Sequence, residues 1–178
     1  MSIVYELCED TRLLDQYYRL REASYRRELG IPDFDGSEQP EDREGQIVLA
    51  LENGRCIGGA RISPRVAVIN QARELGLAPD ACCMWERFVL DPTLRTVQMA
   101  RDFLAHLIEA SRDSGYNHAL VLSSRINARF YRQCHSALGV GFQIHKAVPD
   151  CAQGSFAGLE HYLSIAELRD AQLISVAA

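Results

Sequence analysis

The residues best suited to chemistry lie in segment 85–101, WERFVLDPTLRTVQMAR. Its first half, 85–90, is rich in aromatic and β-branched residues and predicts a buried strand, which the following Asp-Pro pair ends. From Arg95 onward the apolar residues recur at helical spacing. The first turn of such a helix has N–H groups without partners in the helix, and Arg95 and Arg101 add positive charge beside it. The segment therefore predicts either an anion site or an ordinary strand-helix unit without a ligand.

Negative charge is concentrated in a segment upstream of that strand. The formal net charge of the chain is −5, and segment 33–44 accounts for all of it, since it holds six acidic residues and one arginine: Asp33, Asp35, Glu38, Glu41, Asp42 and Glu44, with Arg43. An acidic chain does not favour a nucleic-acid partner. The segment predicts either a surface that faces a cationic substrate or a solvated loop.

Arg21 lies beside the apolar stripe of the first predicted helix, which begins at an Asp10-Thr11 cap and stops at Gly30. A guanidinium in such a place must be paired or must meet an anionic ligand. Its burial without a partner would cost on the order of several kcal/mol.

Length and composition limit the kind of protein. The 178 residues, 47% of them hydrophobic, predict a single domain over 1–178. The chain starts without a leader-like pattern and has no apolar run of membrane-spanning length, so we expect a cytoplasmic protein without a membrane span. The six cysteines form no C-x-x-C pair, and we expect buried apolar residues rather than disulfides or metal ligands.

Strands and helices alternate along the rest of the chain. Asn53-Gly54 is a strong hairpin signal, and Gly58-Gly59 predicts either a bulge or room for a ligand. Strands are predicted at 2–7, 46–52, 55–63, 85–90, 117–123, 139–146 and 159–165, and helices at 11–29, 64–77, from 95, at 126–137 and from 166. This order predicts a mixed α/β domain in which segment 31–45 is a loop.

Three motifs in this order resemble the GNAT acyltransferase superfamily. Its central strand, R-x-x-V-x-P, is similar to 87–92, RFVLDP, and its donor loop, R/Q-x-x-G-x-G/A, is similar to 95–100, RTVQMA. A later N-x-x-x-Y segment is matched by 127–131, NARFY. The resemblance implies an α/β GNAT fold, with a mixed central sheet flanked by helices, and a thioester such as acyl-CoA as the acyl donor.

The resemblance also implies a donor site. It would consist of central-strand residues, the loop with the start of the long helix, and the later asparagine: Phe88, Val89, Leu90, Arg95, Thr96, Val97, Gln98, Met99, Ala100, Arg101 and Asn127. In the family the loop amides hold the donor's pyrophosphate. Gln98 replaces the first loop glycine, and close approach of a phosphate favours glycine there. That replacement favours a GNAT-shaped binding or regulatory module without turnover.

The N-terminal half is similar to the acyl-homoserine-lactone (autoinducer) synthases and N-acyl amino acid synthases, which take acyl groups from acyl carrier protein or acyl-CoA. The resemblance implies an acceptor site formed by Arg21, Tyr25, Glu41, Asp42, Arg61 and Arg87. Ile31 and Met84 stand where the lactone synthases have a tryptophan and a glutamate, which weakens S-adenosylmethionine as the acceptor. Glu86 instead adjoins Arg87, and strand alternation would turn the two to opposite faces unless a bulge intervenes.

Amide formation from a thioester and an amine requires three events. The amine must lose a proton, the tetrahedral oxyanion must be stabilised, and the leaving thiolate takes up a proton. We expect Glu86 to be the base, with Glu41 or Asp42 as a second choice. A backbone N–H within 88–90 would stabilise the oxyanion, and Tyr131 would be the acid.

Structural roles are the alternatives to these assignments. Glu86 would then be ion-paired with Arg61 or Arg21, and Tyr131 would fill the core. Arg21, Arg61 and Arg87 would form an ion network with the acidic segment 33–44.

These features predict an N-acyltransferase that joins a fatty acyl group to a small amine or amino acid. An acetyl-CoA-dependent acetyltransferase and a binding module without turnover are the alternatives. A carrier-protein donor would need a basic patch, for which the candidates are Arg95, Arg101, Arg112 and Arg132. The sequence leaves open the acceptor, the acyl length, the choice between CoA and carrier protein, and the oligomeric state.

Overall fold

The computed structural model describes residues 2–148 and 156–169, which form a mixed α/β structure. The strands are β1 (Ile3–Leu7), β2 (Gln46–Glu52), β3 (Arg55–Ser63), β4 (Cys82–Leu90), β5 (His118–Ser123), β6 (Phe142–Ala147) and β7 (Tyr162–Glu167). The helices are α1 (Thr11–Glu28), α2 (Pro40–Glu44), α3 (Ile69–Glu74), α4 (Val97–Asp113) and α5 (Arg125–Ala137), with a 3₁₀ turn at Pro79–Ala81.

The strands form one sheet in the order β1-β2-β3-β4-β5-β7-β6, in which β4 and β5 are parallel and the other neighbours are antiparallel. Helices cover both faces. On β2, Val48 and Ala50 pack in the same cluster as α4, whereas Ile47 and Leu49 pack in the cluster of α1. Burial on both faces explains the unbroken apolar runs of the inner strands. The predicted mixed sheet flanked by helices is confirmed.

A wedge opens in the middle of this sheet. β4 and β5 pair from Cys82↔His118 to Met84↔Leu120. Beyond that point β4 continues to Leu90, while β5 stays hydrogen-bonded to β7 along its length. One edge of the second half of β4 therefore lies open at the centre of the sheet.

The other edge of β4 contains a bulge. Between the pairs Gly59↔Val89 and Arg61↔Glu86, β4 has one residue more than β3. Arg87 lies in this bulge with φ 56°. A non-glycine residue in that region costs about 1–2 kcal/mol, so neighbouring contacts must hold it.

Tyr17 of α1 holds the bulge. Its hydroxyl donates to the Arg87 carbonyl at 2.9 Å. Its ring fits over Gly59, where an added Cβ would lie 2.5 Å from a ring carbon. Gly59 thus gives room to a helix side chain, and the bulge prediction for the glycine pair is also confirmed, because β3 has an extra residue against β2 just before Gly58.

The hairpin prediction is confirmed by backbone geometry. Asn53 and Gly54 have φ 52° and 73°, as the two-residue turn that matches the twist of the strands requires.

Several predicted boundaries are wrong. The last two strands each begin three residues later than predicted, at Phe142 and Tyr162. Segment 31–45 is not all loop, because a proline and a capping box between Gln39 and Asp42 start α2. β4 begins at Cys82 rather than Trp85, since its first residues pair with β5. α3 is shorter than predicted, at 69–74 rather than 64–77.

The predicted C-terminal helix is wrong at its start. Ala166 is paired with Ala119 on one side and Phe142 on the other, so it belongs to β7. The remainder of that prediction, from 170, lies outside the described residues.

The cysteines of the described residues are buried and unbridged, namely Cys8, Cys56, Cys82, Cys83 and Cys134; Cys151 lies outside that part. Among the described residues, the helices are too short or too polar to cross a membrane.

Candidate active site

A cavity of about 1560 Å³ occupies the wedge between β4 and β5. Its walls are the C-terminal end of α1, β4 from Met84 to Leu90, the start of α4, the β5–α5 junction and segment 156–161. The open edge of the central strand therefore faces a space large enough for a substrate.

One end of the cavity lies at the N-terminus of α4. The Thr96 hydroxyl caps this helix by accepting from the Met99 N–H at 3.0 Å. The N–H groups of Val97 and Gln98 precede the first intrahelical bond and have no acceptor within the helix. Arg95, Thr96, Val97 and Ala100 line the cavity here. This end can bind an anion.

Arg95 already has an anionic partner. Its Nη1 lies 2.6 Å from Glu28 Oε2, on the last turn of α1, and both side chains line the cavity. The pair therefore ties α1 to the start of α4 across the cavity.

Three residues predicted at the donor site are directed elsewhere. The Gln98 amide donates to Asp102 at 2.8 Å, and Met99 is buried in the core. Arg101 lies beside Cys134 of α5, where its charge and hydrogen bond lower the pKa of a thiol that burial raises. These three side chains lie outside the cavity lining, because successive residues of a helix point in different directions.

A buried ion network lies behind the other end of the cavity. Asp42 of α2 forms a two-point contact with Arg21, with both N···O distances 3.1 Å, and its Oδ1 is 2.9 Å from Arg61. The Arg21 side chain is completely buried and also donates to the carbonyls of Gly36 and Ser37. Burial would raise the pKa of Asp42, but hydrogen bonds from Arg21 and the Gln39 N–H lower it below its usual value.

The network changes the expectation for the acceptor site. Arg21 and Asp42 do not reach the cavity, because they satisfy each other inside the protein. Glu41, half-buried in the first turn of α2, also lies outside the cavity lining. Arg21, Asp42 and Arg61 therefore form a buried ion network, which was the alternative to acceptor binding.

The bulge directs Glu86 and Arg87 toward the same region. Glu86 Oε2 accepts from Arg61 Nε and Nη2 at 3.1 and 2.9 Å, and Arg87 Nε donates to the Gln39 amide oxygen at 3.0 Å. Gln39 Oε1 also lies 3.4 Å from Arg61. Both Glu86 and Arg87 line the cavity. Simple alternation along a strand would have separated them.

Aromatic rings flank Arg87. Its guanidinium carbon is 4.7 Å from the Phe156 ring centroid and 5.8 Å from that of Phe34. Tyr25 packs against both rings, at 4.7 Å from Phe34 and 6.0 Å from Phe156. Burial raises the pKa of Tyr25. We name the space bounded by Tyr25, Glu86, Arg87 and Phe156 the aromatic chamber.

Tyr131 and Asn127 of α5 line the opposite side of the cavity. The Tyr131 ring meets Phe88 edge-on at 5.7 Å, and burial raises the pKa of its hydroxyl. Asn127 is exposed in the first turn, where its N–H is capped by Ser124. Tyr131 is thus both a packing residue and a cavity residue.

Several cavity residues were not anticipated from the sequence. They are Glu28, Phe156, Glu160 and His161. Phe156, Glu160 and His161 lie outside the helices and strands, and Glu28 is the last residue of α1. No periodic signal therefore connects these residues in the sequence, and only the folded chain brings them together. Within the described residues, acidic, histidine and cysteine side chains form no cluster of three or more that could hold a metal ion.

Comparison with known proteins places this geometry in context. Residues 12–135 match the family model described as the acetyltransferase (GNAT) family. A search of curated proteins gives no match.

Solved structures share the fold at low sequence identity. The CoA-dependent acyl-homoserine lactone synthase BjaI, solved with SAM and isopentyl-CoA, is 19% identical, with TM-score 0.68 over 90% of this chain and 78% of that one. The acyl-homoserine lactone synthase LasI is 14% identical, with TM-score 0.66 over 93% and 89%. An acetyltransferase of the GNAT family from Staphylococcus aureus Mu50 is 16% identical, with TM-score 0.65 over 94% and 99%. The predicted GNAT fold is confirmed.

Proposed function

Because this chain belongs to the acetyltransferase (GNAT) family, we propose that it is an N-acyltransferase for acyl groups longer than acetyl. The donor is an acyl-CoA or acyl carrier protein thioester, and the acceptor is the amine of a small molecule such as an amino acid. One observation carries the proposal: a single cavity joins the N-terminus of α4 to the aromatic chamber through the wedge in the sheet.

The donor binds at the α4 end. The N–H groups of Val97 and Gln98 and the guanidinium of Arg95 suit a phosphate, which both CoA and phosphopantetheine carry. The pantetheine arm then runs along the open edge of β4, past Phe88 and Leu90, where a backbone can hydrogen-bond to it.

The reacting carbonyl lies beside β4. The Asp91 N–H donates to the Ile57 carbonyl at 2.8 Å, on the β3 side. Since backbone groups alternate in direction along a strand, the Leu90 N–H points to the wedge. A fixed donor at the edge of a cavity suits the oxyanion that forms on the carbonyl oxygen when the amine adds to the thioester carbon.

The size and lining of the cavity favour a long acyl group. Pockets for drug-sized ligands are about 300–1,000 Å³, and this cavity is larger. Apolar side chains line its middle, among them Trp85, Phe88, Val121, Leu122 and Phe130. They provide an apolar environment for methylene groups.

The acceptor binds in the aromatic chamber. Glu86 supplies a carboxylate for the ammonium group, and Arg87 supplies a guanidinium whose flanking rings keep its plane in place. Opposite charges on adjacent residues suit an acceptor that carries both charges, as an amino acid does. Glu86 can also take a proton, and Tyr131 is the candidate acid for the leaving thiolate.

A carrier-protein donor is supported by the surface of α5. Ile126 is 80% exposed at the rim of the cavity, and Arg125, Arg129 and Arg132 are exposed on the same helix. An apolar residue among arginines suits an acidic partner helix.

Thiol release is the test of this function. The purified protein would be given acyl-CoA donors from acetyl to dodecanoyl, and matching carrier-protein thioesters, with pooled amino acids and amines. Free thiol would be measured with a colorimetric thiol reagent, and the product would be identified by mass spectrometry. We expect a new amide product, and we expect thiol to be released faster from the longer acyl donors than from acetyl-CoA.

Two variants and two outcomes make the test decisive. Glu86→Gln should lower the yield strongly, whereas Glu44→Gln, in an exposed pair with Arg65, should not. Absence of thiol release with every donor would contradict the enzyme assignment. Release with acetyl-CoA alone would contradict the preference for long acyl groups.

A further inference from the structure

Among the described residues that line the cavity, His161 is the one histidine, and its imidazole can take a proton there. It lies immediately before β7, in segment 156–161, and it lines the cavity. The Val148 N–H donates to its carbonyl at 2.7 Å, which fixes its backbone against the end of β6. The backbone of His161 is therefore anchored by the end of β6, which is distant from β4 in the sequence.

The hydrogen bonding of the imidazole fixes its tautomer. Nδ1 lies 2.9 Å from the Leu159 carbonyl oxygen. A carbonyl can only accept, so Nδ1 carries the hydrogen and Nε2 of the neutral ring keeps a lone pair. This is the form that a general base requires.

The imidazole lies next to the aromatic chamber. Its ring meets the Phe156 ring edge-on, with centroids 6.4 Å apart. The Phe156 ring in turn covers the guanidinium of Arg87 at 4.7 Å and contacts Tyr25. The Phe156 ring therefore contacts both His161 and Arg87, which we assign to acceptor binding.

The carboxylate of Glu86 differs from this imidazole, because one of its oxygens is already hydrogen-bonded to Arg61. Its Oε2 accepts two hydrogen bonds from Arg61, and its Oε1 has no hydrogen-bond partner among the described residues. A carboxylate held in this way suits binding of an ammonium group. A neutral imidazole with an open lone pair suits removal of its proton.

We propose that His161 is the general base of the acyl transfer, an inference that rests on the proposed function. Nε2 takes a proton from the acceptor ammonium and later releases it to solvent. The amine nitrogen then forms a bond to the thioester carbon, and the carbon–sulfur bond breaks as the oxyanion collapses. The nitrogen loses its second proton and the thiolate takes one, so the products are an amide, a thiol and one proton.

The test compares two histidine variants. His161→Gln removes the base, while His106→Gln removes a histidine of the same tautomer, whose Nδ1 lies 2.8 Å from the Asp102 carbonyl and whose ring stacks on Tyr5. His106 lies outside the cavity lining. We expect kcat at neutral pH to fall by about 100-fold in His161→Gln alone, with KM for the donor unchanged.

The pH profile separates a base from a packing residue. A base must be unprotonated, so wild-type turnover should fall as the pH drops, and the loss caused by His161→Gln should shrink as the pH rises and the amine deprotonates by itself. The charged and titratable groups that line the cavity together with His161 are Tyr25, Glu28, Glu86, Arg87, Arg95, Arg125, Tyr131 and Glu160. On the adjacent β6 they are His145 and Lys146. The acidic limb should therefore persist in Glu86→Gln and move to higher pH in His161→Gln, where only the ionisation of the amine itself remains.

A second measurement does not depend on turnover. Nitrogen NMR of the histidine rings, assigned with His161→Gln, should show hydrogen on Nδ1 of His161. Hydrogen on Nε2 would overturn the proposal whatever the activity. Equal activity of the two histidine variants, in an active enzyme, would overturn it while leaving the proposed function intact. An inactive wild type would overturn both.

Discussion

Replacement of Asp42 by asparagine should destabilise the protein more than any change at its surface. The Asp42 side chain is completely buried and accepts from Arg21, Arg61 and the Gln39 N–H. Asparagine keeps the shape but removes the negative charge that two buried guanidinium groups share. Removal of one member of a buried ion pair costs about 3–5 kcal/mol.

The expected magnitude lies near the top of that range. Among the described residues Arg21 has no other carboxylate in contact, but Arg61 retains Glu86 at 2.9 Å. The loss is therefore one uncompensated charge and one weakened pair, and we expect about 5 kcal/mol. For a chain of this length each kcal/mol lowers Tm by about 2–4 °C, so Tm should fall by about 10–20 °C.

Urea and thermal unfolding followed by circular dichroism would measure this loss. Glu44→Gln is the matched control, since Glu44 pairs with Arg65 in solvent at 2.6 Å, and exposed pairs contribute at most about 1 kcal/mol. A loss below about 1 kcal/mol in Asp42→Asn would refute the reasoning, because the two arginines would then have found other partners.

The pH dependence of stability gives a second check on Asp42. Its pKa is lower in the folded protein than in the unfolded chain. The unfolded chain therefore binds more protons between the two values, and the stabilisation is complete above the unfolded pKa, about 3.9. It is lost as the pH falls below that value, so wild type and Asp42→Asn should approach each other in stability only in acid.

Three further changes test separate parts of the site. Arg95→Ala should raise KM for the donor roughly 10-fold with little change in kcat, because a charge-assisted contact to phosphate is lost; an unchanged KM, as expected for the control Arg65→Ala, would place the phosphate elsewhere. Gly59→Ala should cost about 1–3 kcal/mol in urea unfolding, since its Cβ meets the Tyr17 ring; wild-type stability would show that the ring moves aside freely. Arg87→Gly and Arg87→Ala should both lose turnover, but the glycine variant should be more stable by about 1 kcal/mol, because φ at this position is 56°; equal stability would argue against strain.

Local signals in the sequence predicted those parts of the fold that depend on neighbouring residues. Asn53-Gly54 specifies its turn through backbone preference, and the change of apolar period after Arg95 specifies the helix at a strand end. The place of Arg21 on an apolar stripe predicted either a partner or an anionic ligand, and the structure shows a partner. The sequence did not identify that partner, because six acidic residues in segment 33–44 were equivalent until α2 brought Asp42 inward.

The bulge and the aromatic chamber needed the folded chain. One extra residue in β4 reverses the direction of every side chain beyond it, and its position depends on the register with β3 rather than on β4 itself. Phe156 and His161 lie outside any periodic element, so no spacing rule connects them to Arg87. Of the two arginines predicted beside the first turn of this helix, Arg95 lines the cavity and Arg101 does not, because Arg101 lies beside Cys134 of α5.

The Glu28–Arg95 pair bears on how donor binding responds to ionic strength. A donor phosphate that reaches Arg95 must displace a carboxylate already 2.6 Å from it, so binding exchanges one ion contact for another. Salt weakens both contacts, because exposed charges are screened over about 8–10 Å at physiological concentrations. Donor affinity should therefore fall less steeply with added salt in the wild type than in Glu28→Gln, which removes the competing carboxylate.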